Sequence, residues 1–190
     1  DLRDQLLKHK IKNIDRVLYS HFHADQTHGI NDLRIFYLKN KRKIPIYTDT
    51  FTKRKLLSNF KYCFKNTKSY PPIATTKILK KDNVFIDNNV KIKIKSIKVR
   101  HGDVECNAFI INNKCAYISD VNKIYNKDLK YFKNLDFFVI DCLRYKRHPS
   151  HFNLEEAINL IKFLKPKKAI LTNMHSDLDY TTLKNKLPQN

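Results

Sequence analysis

The chain has 190 residues, 42% of them hydrophobic, and no apolar run approaches the roughly 20 residues that cross a bilayer, so one globular domain with no membrane partner is expected. Its formal net charge is +20, with 38 Lys+Arg against 18 Asp+Glu, spread along the chain and not gathered into one tract. That charge reads first as AT-rich codon usage, which makes Lys, Asn and Ile all abundant, and second as attraction for an anionic substrate.

Leu2, Leu6 and Leu7 predict a short helix over residues 2–8. Residues 16–20 read as a buried strand that runs into a histidine-rich loop. Gly29 to Leu38 reads as a helix, 44–47 as a short strand, Thr50 to Phe64 as a helix, and the polar stretch 65–72, ending in Pro71-Pro72, as a loop. Over 90–99, Val90, Ile92 and Ile94 share one face while Ile97 and Val99 take the other. The slip at Ser96 predicts a bulge. Strands are expected at 106–111, 115–119 and 136–141. Asn153 to Leu164 carries Leu154, Ala157, Ile158, Ile161 and Leu164 at helical spacing, with Asn153 and Glu156 set as a capping box and Pro166 beyond the end. Ala169–Leu171 is the last strand. No internal repeat or linker is visible, and one layered α/β domain over 1–190 is the economical reading.

The four cysteines, Cys63, Cys106, Cys115 and Cys142, form no Cys-x-x-Cys pair, so a zinc ribbon or redox motif is not indicated. A reducing cytoplasm is the default location. The chain starts at Asp1 with no signal peptide in view, which says little about targeting. Only Gly29 and Gly102 occur, each directly after a histidine. Two glycines exclude a Walker A loop and a dinucleotide fingerprint.

Chemistry concentrates in His21-Phe22-His23-Ala24-Asp25-Gln26-Thr27-His28-Gly29. A strand ending in a polar loop can aim alternate side chains, here His21 and His23, at one point. Imidazole and carboxylate are the usual ligands of a catalytic zinc-type ion. A lone histidine at a strand end is more often a surface or core residue, but a His-x-His-x-Asp cluster gains nothing obvious without a metal. Three later residues also sit at strand ends, where a rigid scaffold carries its chemistry. These are His101, Asp120 and His175. Taken singly, Asp120 reads equally as a cap and His175 as a surface histidine.

In this order the residues resemble the metallo-β-lactamase superfamily: His21, His23 and Asp25, then His101-Gly102, Asp120 and His175. The resemblance covers nearly the whole chain. It implies an αββα sandwich, here without the first N-terminal strands, because only about 15 residues precede the first strand. His151-Phe152-Asn153-Leu154-Glu155-Glu156-Ala157, the run from His23 to Arg34, and Asp177-Leu178-Asp179-Tyr180 look most like its phosphodiesterase branch. That branch holds the phosphoribosyl cyclic phosphate phosphodiesterase of the phosphonate pathway and the tRNA 3′-end-processing endonucleases.

The resemblance implies that His21, His23 and His101 hold a first metal, that Asp25 and His175 hold a second, and that Asp120 bridges them. One or two Zn²⁺ are implied, with Mn²⁺ as the substitute. The metal would bring the pKa of a bound water to about 7. His151, with Asp25 as the catalytic carboxylate, would serve the chemistry, His151 by protonating the leaving oxygen or steadying the phosphoryl charge. Arg144 and His148 would grip phosphate oxygens, although Arg144 reads equally as a surface arginine. The implied partner is a small anionic phosphoester, with nucleic acid ranked lower and a homodimer as the assembly that relatives suggest.

Two positions depart from the pattern. Gln26 stands where the family carries a second-metal histidine, and an amide oxygen is a poorer ligand than imidazole. Asn173 stands where many members have histidine. The leading expectation is therefore a hydrolase of a small cyclic phosphate or nucleotide-like ester. The alternatives are a tRNA 3′-processing nuclease, ranked lower because no long basic arm is found, and a truncated non-catalytic remnant that binds metal or an anionic partner.

Overall fold

The computed structural model describes residues 1–68, 70–87 and 89–187. The chain resolves into two compact units, Asp1–Leu79 and Lys80–Asn190. No helix among the described residues is long and apolar enough to cross a membrane.

The first unit carries a three-stranded parallel sheet in the order β1 (Val17–Leu18), β2 (Ile44–Thr48) and β3 (Ala74–Ile78). Val17 pairs with Ile46, and Ile44 with Ala74. Parallel strands need long crossovers, and helices supply them. Between β1 and β2 run α2 (Ala24–Thr27), a 3₁₀ helix (His28–Leu33) and α3 (Arg34–Asn40). Between β2 and β3 run α4 (Thr50–Asn59) and α5 (Lys61–Phe64). β2 alternates as its sequence does, with Ile44, Ile46 and Thr48 buried. The core beneath it holds Ile30, Leu33, Phe36, Leu56, Phe60 and Ile73.

Two expected helices here are shorter than predicted. The helix from Gly29 begins as a 3₁₀ turn and becomes α-helical only at Arg34, ending where Lys41 turns left-handed at φ 52°. Gly29 packs against α1 (Leu2–Lys8): a Cβ there would lie 2.9 Å from the Cβ of Leu2. The helix from Thr50, capped by the Asp49 carboxylate accepting from the Thr52 N–H, breaks at Phe60, whose ring turns into the core. β3 was not expected, because Ala-Thr-Thr-Lys-Ile is a polar edge strand with one buried residue, Ala74.

The second unit carries a six-stranded sheet in sequential order: β4 (Asp82–Asp87), β5 (Val90–His101), β6 (Val104–Ile111), β7 (Cys115–Ile118), β8 (Phe137–Asp141) and β9 (Lys168–Thr172). β4 to β7 are antiparallel, and β7, β8 and β9 are parallel. β4 also escaped the sequence reading. The bulge expected at Ser96 is absent: β5 pairs with β6 without interruption from Ile94–Ile111 to His101–Val104. The phase slip instead marks a change of buried face. Ile94 is covered on one side of β5, while Ile97, Val99 and His101 are covered on the other.

α6 (Leu154–Leu164) crosses from β8 to β9 as predicted. Asn153 accepts from the Glu156 N–H at 2.8 Å, and Glu156 accepts from the Asn153 N–H at 3.1 Å. Lys165 closes the helix at φ 52°, with Pro166 next. Leu164 joins Phe132, Phe138, Ile118 and Ile140 in the core. A final helix, α7 (Tyr180–Lys186), follows the Asp179 cap. Three parallel strands thus end side by side, and the residues at those ends are Asp120, Asp141 and Asn173.

Candidate metal centre and its histidine

In the second unit the strand ends assemble a buried polar cluster. His101, Asp120 and Asp141 are 4%, 2% and 0% exposed. His101 closes β5, and its Nδ1–H donates to the Ser150 carbonyl at 2.7 Å. That bond fixes the tautomer and leaves Nε2 as the lone-pair nitrogen, the usual posture of a metal-ligating imidazole. His101, Asp120 and His151 each offer a ligand atom within 4.8 Å of the others. An oriented imidazole and a buried carboxylate are hard to bury without a cation, so this donor set fits a divalent ion.

Gly102 makes the His101 contact available. It sits at φ +57°, its N–H donates to the Asn122 side chain at 3.0 Å, and a Cβ would lie 2.9 Å from the Cβ of Ser150. Gly102→Ala is expected to cost about 1–2 kcal/mol of stability from the left-handed backbone alone. It should also weaken metal binding by displacing Ser150. Chemical denaturation and a metal titration on the same variant check both effects.

His151 belongs to this cluster. Its Nδ1 is 2.7 Å from Asp141 Oδ2 and 3.8 Å from Asp120 Oδ1. Asp141 also accepts the Val121 N–H at 2.9 Å and an Asn173 side-chain N–H at 3.3 Å. With Nδ1–H given to Asp141, Nε2 is the nitrogen that can exchange a proton. Burial and the Asp141 charge push the adjacent Cys142 thiol up to about 12, so it stays protonated at neutral pH.

The two residues expected to grip phosphate lie on the loop before His151. Arg144 donates through Nε to the Lys146 carbonyl at 3.2 Å and through Nη2 to the Arg147 carbonyl at 2.8 Å, which closes its own loop. His148 accepts from the Ser150 N–H at 3.3 Å, and its ring lies 5.1 Å from that of His151. Burial, then the neighbouring His151 and Arg144, lower the His148 pKa.

His175 is not brought to the cluster. Its side chain is 60% exposed and sits 3.2 Å from Asp177. Asn173 is there instead, donating through Nδ2 to Asp120 Oδ1 at 3.1 Å. Asn173 takes φ 60°, which turns its amide back over the strand ends. Sequence reasoning missed Asp141. The signal was present, since Asp141 ends the apolar run Phe138-Val139-Ile140 as Asp120 ends its own strand.

In the first unit, His21 is buried, with Nδ1 3.1 Å from the Ser20 hydroxyl. The His21 and His23 rings meet edge-on at 4.4 Å, so the alternation aims both imidazoles at one region. Asp25 is exposed in the first turn of α2 and accepts from Gln26 Nε2 at 2.8 Å. His28 is exposed and packs edge-on against Phe60 at 5.4 Å.

Comparison with known proteins identifies the fold family. A family model described as a beta-lactamase superfamily domain matches residues 1–174. A solved diphosphatase from the PhnP family superposes with a TM-score of 0.87 at 27% identity, covering all of this chain and 71% of that one. The short form of human tRNase Z shares the fold at a TM-score of 0.66 and 18% identity, covering 92% of this chain and 78% of that one. An octanoyltransferase from Porphyromonas gingivalis is 26% identical over 178 residues, or 92% of this chain. The chain spans about a third of that relative's length, 35%. With one family model running through the histidine motif, Asp120 and His151, the chain belongs to the β-lactamase superfamily and has the metallo-β-lactamase fold.

Proposed function

We propose that this chain is a metal-dependent phosphodiesterase that hydrolyses a small cyclic phosphate or nucleotide-like ester in the cytoplasm. The observation that carries the reading is the 2.7 Å contact of His151 with the fully buried Asp141, beside Asp120 and His101. A thiolate leaves without a proton and has no evident use for a second, carboxylate-held imidazole at the metal ligands. An alkoxide leaving from phosphorus does, because it must be protonated.

His21, His23 and His101 would hold the ion with Asp120, and Asp25 is the further donor proposed for a second one. A bound ion would supply Lewis acidity, which would lower the pKa of a water to about 7 and balance phosphoryl charge. The protein's own groups do the rest. Asp141 fixes the His151 tautomer, so the imidazole presents Nε2 as the nitrogen that exchanges a proton with the leaving oxygen. Arg144 keeps the loop before His151 closed through its two carbonyl contacts, which positions His148 and His151. The +20 charge draws an anionic ester toward the protein.

Metal content by elemental analysis, with turnover of bis-p-nitrophenyl phosphate on the same sample, tests the reading. Bound metal with turnover supports it. A metal-loaded protein that ignores phosphodiesters and phosphoanhydrides, the bond class of the diphosphatase neighbour, would overturn it.

A further inference from the structure

The histidine motif carries an aromatic residue whose surroundings the hydrolytic chemistry does not use. Phe22 stands between His21 and His23, with its ring 4.8 Å from that of His23. On its other side, the Phe22 ring meets Phe51 edge-on at 5.3 Å. Phe51 belongs to the first turn of α4 and is 47% exposed. Arg54 and Lys55 follow three and four residues later, so they share its helix face. The Arg54 guanidinium and the Lys55 ammonium each lie 5.7 Å from the centre of the Phe51 ring. Lys55 lies at the same distance from Phe22.

Single exposed apolar residues are ordinary on protein surfaces. Here two aromatic rings and two cations share one face of a single unit, against the motif histidines. Thr52 and Leu56 anchor the opposite face of α4, at 1% exposure each, so the helix holds Phe51, Arg54 and Lys55 outward on a fixed base. An exposed aromatic face accepts a planar base by stacking, whichever base it is. Cations beside it accept the phosphate of the same molecule. Sugar phosphates and alkyl esters offer the phosphate without the ring.

We propose that Phe22, Phe51, Arg54 and Lys55 form a base-and-phosphate platform that selects nucleoside phosphoesters, either free nucleotides or the end of an oligonucleotide, for the adjacent histidine motif. This inference rests on the phosphodiesterase reading for its catalytic consequence, but its binding consequence stands alone.

The test compares thymidine 5′-(p-nitrophenyl phosphate) with methyl p-nitrophenyl phosphate, two diesters with one leaving group. Phe51→Ala is expected to lower the ratio of their kcat/KM values about 10-fold, through KM of the thymidine ester, and Phe51→Trp to restore it. An unchanged ratio in Phe51→Ala, with both esters turned over by the parent protein, would overturn the platform and leave the phosphodiesterase reading intact. If the parent turns over neither ester, the phosphodiesterase reading fails. The affinity for 1,N6-ethenoadenosine monophosphate, read by fluorescence, then decides the platform by itself. A weakening of about 10-fold in Phe51→Ala supports it, and an unchanged affinity overturns it. Competition by adenylate and by a short oligoadenylate distinguishes a free nucleotide from a strand end.

Discussion

His151→Ala is expected to lower phosphodiester turnover by about 10²- to 10⁴-fold, the usual contribution of a positioned general acid. The loss should fall on kcat more than on KM, because the proton is needed only as the leaving oxygen departs. Asp141→Asn is the companion variant. It keeps an acceptor for the Val121 N–H, which Asp141→Ala would leave unsatisfied in a fully buried site. It also removes the charge that holds His151. Its effect should be smaller than that of His151→Ala, and the two should not add, because Asp141 acts through His151. A leaving group of low pKa needs little protonation, so p-nitrophenyl esters should suffer least and alkyl esters most. Metal content is the control. If His151→Ala loses its metal in proportion to its activity, His151 is a ligand, in keeping with its place near His101 and Asp120, and the general-acid role fails.

How much of this site could be read in advance depended on how local its signals were. The His21–His23 pair and the capping box at Asn153 are written within a few residues, and the structure forms both local arrangements. Asp120 was legible because a strand-like run precedes it. Asp141 has the same signature, but its importance comes from Asn173 and His151, which reach it from other segments of the chain. The choice between Asn173 and His175 was not legible either. The two are separated by one residue, Met174, and the left-handed backbone of Asn173 decides which faces the strand ends. The bulge expected at Ser96 failed for a related reason. An alternation that changes phase can mean an extra residue or a strand buried on both faces in turn, and only the pairing partner distinguishes them.

Gln26→His, alone and combined with Asn173→His, is expected to raise metal content from about one ion per chain toward about two, the complement of a binuclear hydrolase. In the first unit, Gln26 donates an amide N–H to Asp25 at 2.8 Å. In the second, Asn173 donates an amide N–H to Asp120 at 3.1 Å. The amide orientation follows from the chemistry, since a carboxylate accepts from the nitrogen and repels the oxygen. Each N–H sits where a cation would approach the carboxylate, and it satisfies part of that oxygen's demand without supplying a ligand. Imidazole at the same position would offer a lone pair and leave the carboxylate to the metal. The measurement is elemental analysis after equilibration with limiting and excess Zn²⁺, with the melting temperature followed at each concentration. An added site that binds only the folded chain should make the melting temperature climb over a second concentration range. Unchanged metal content in both variants would mean that neither amide stands at a ligand position. A rise in metal content without a rise in turnover would mean that one ion suffices for the chemistry His151 serves.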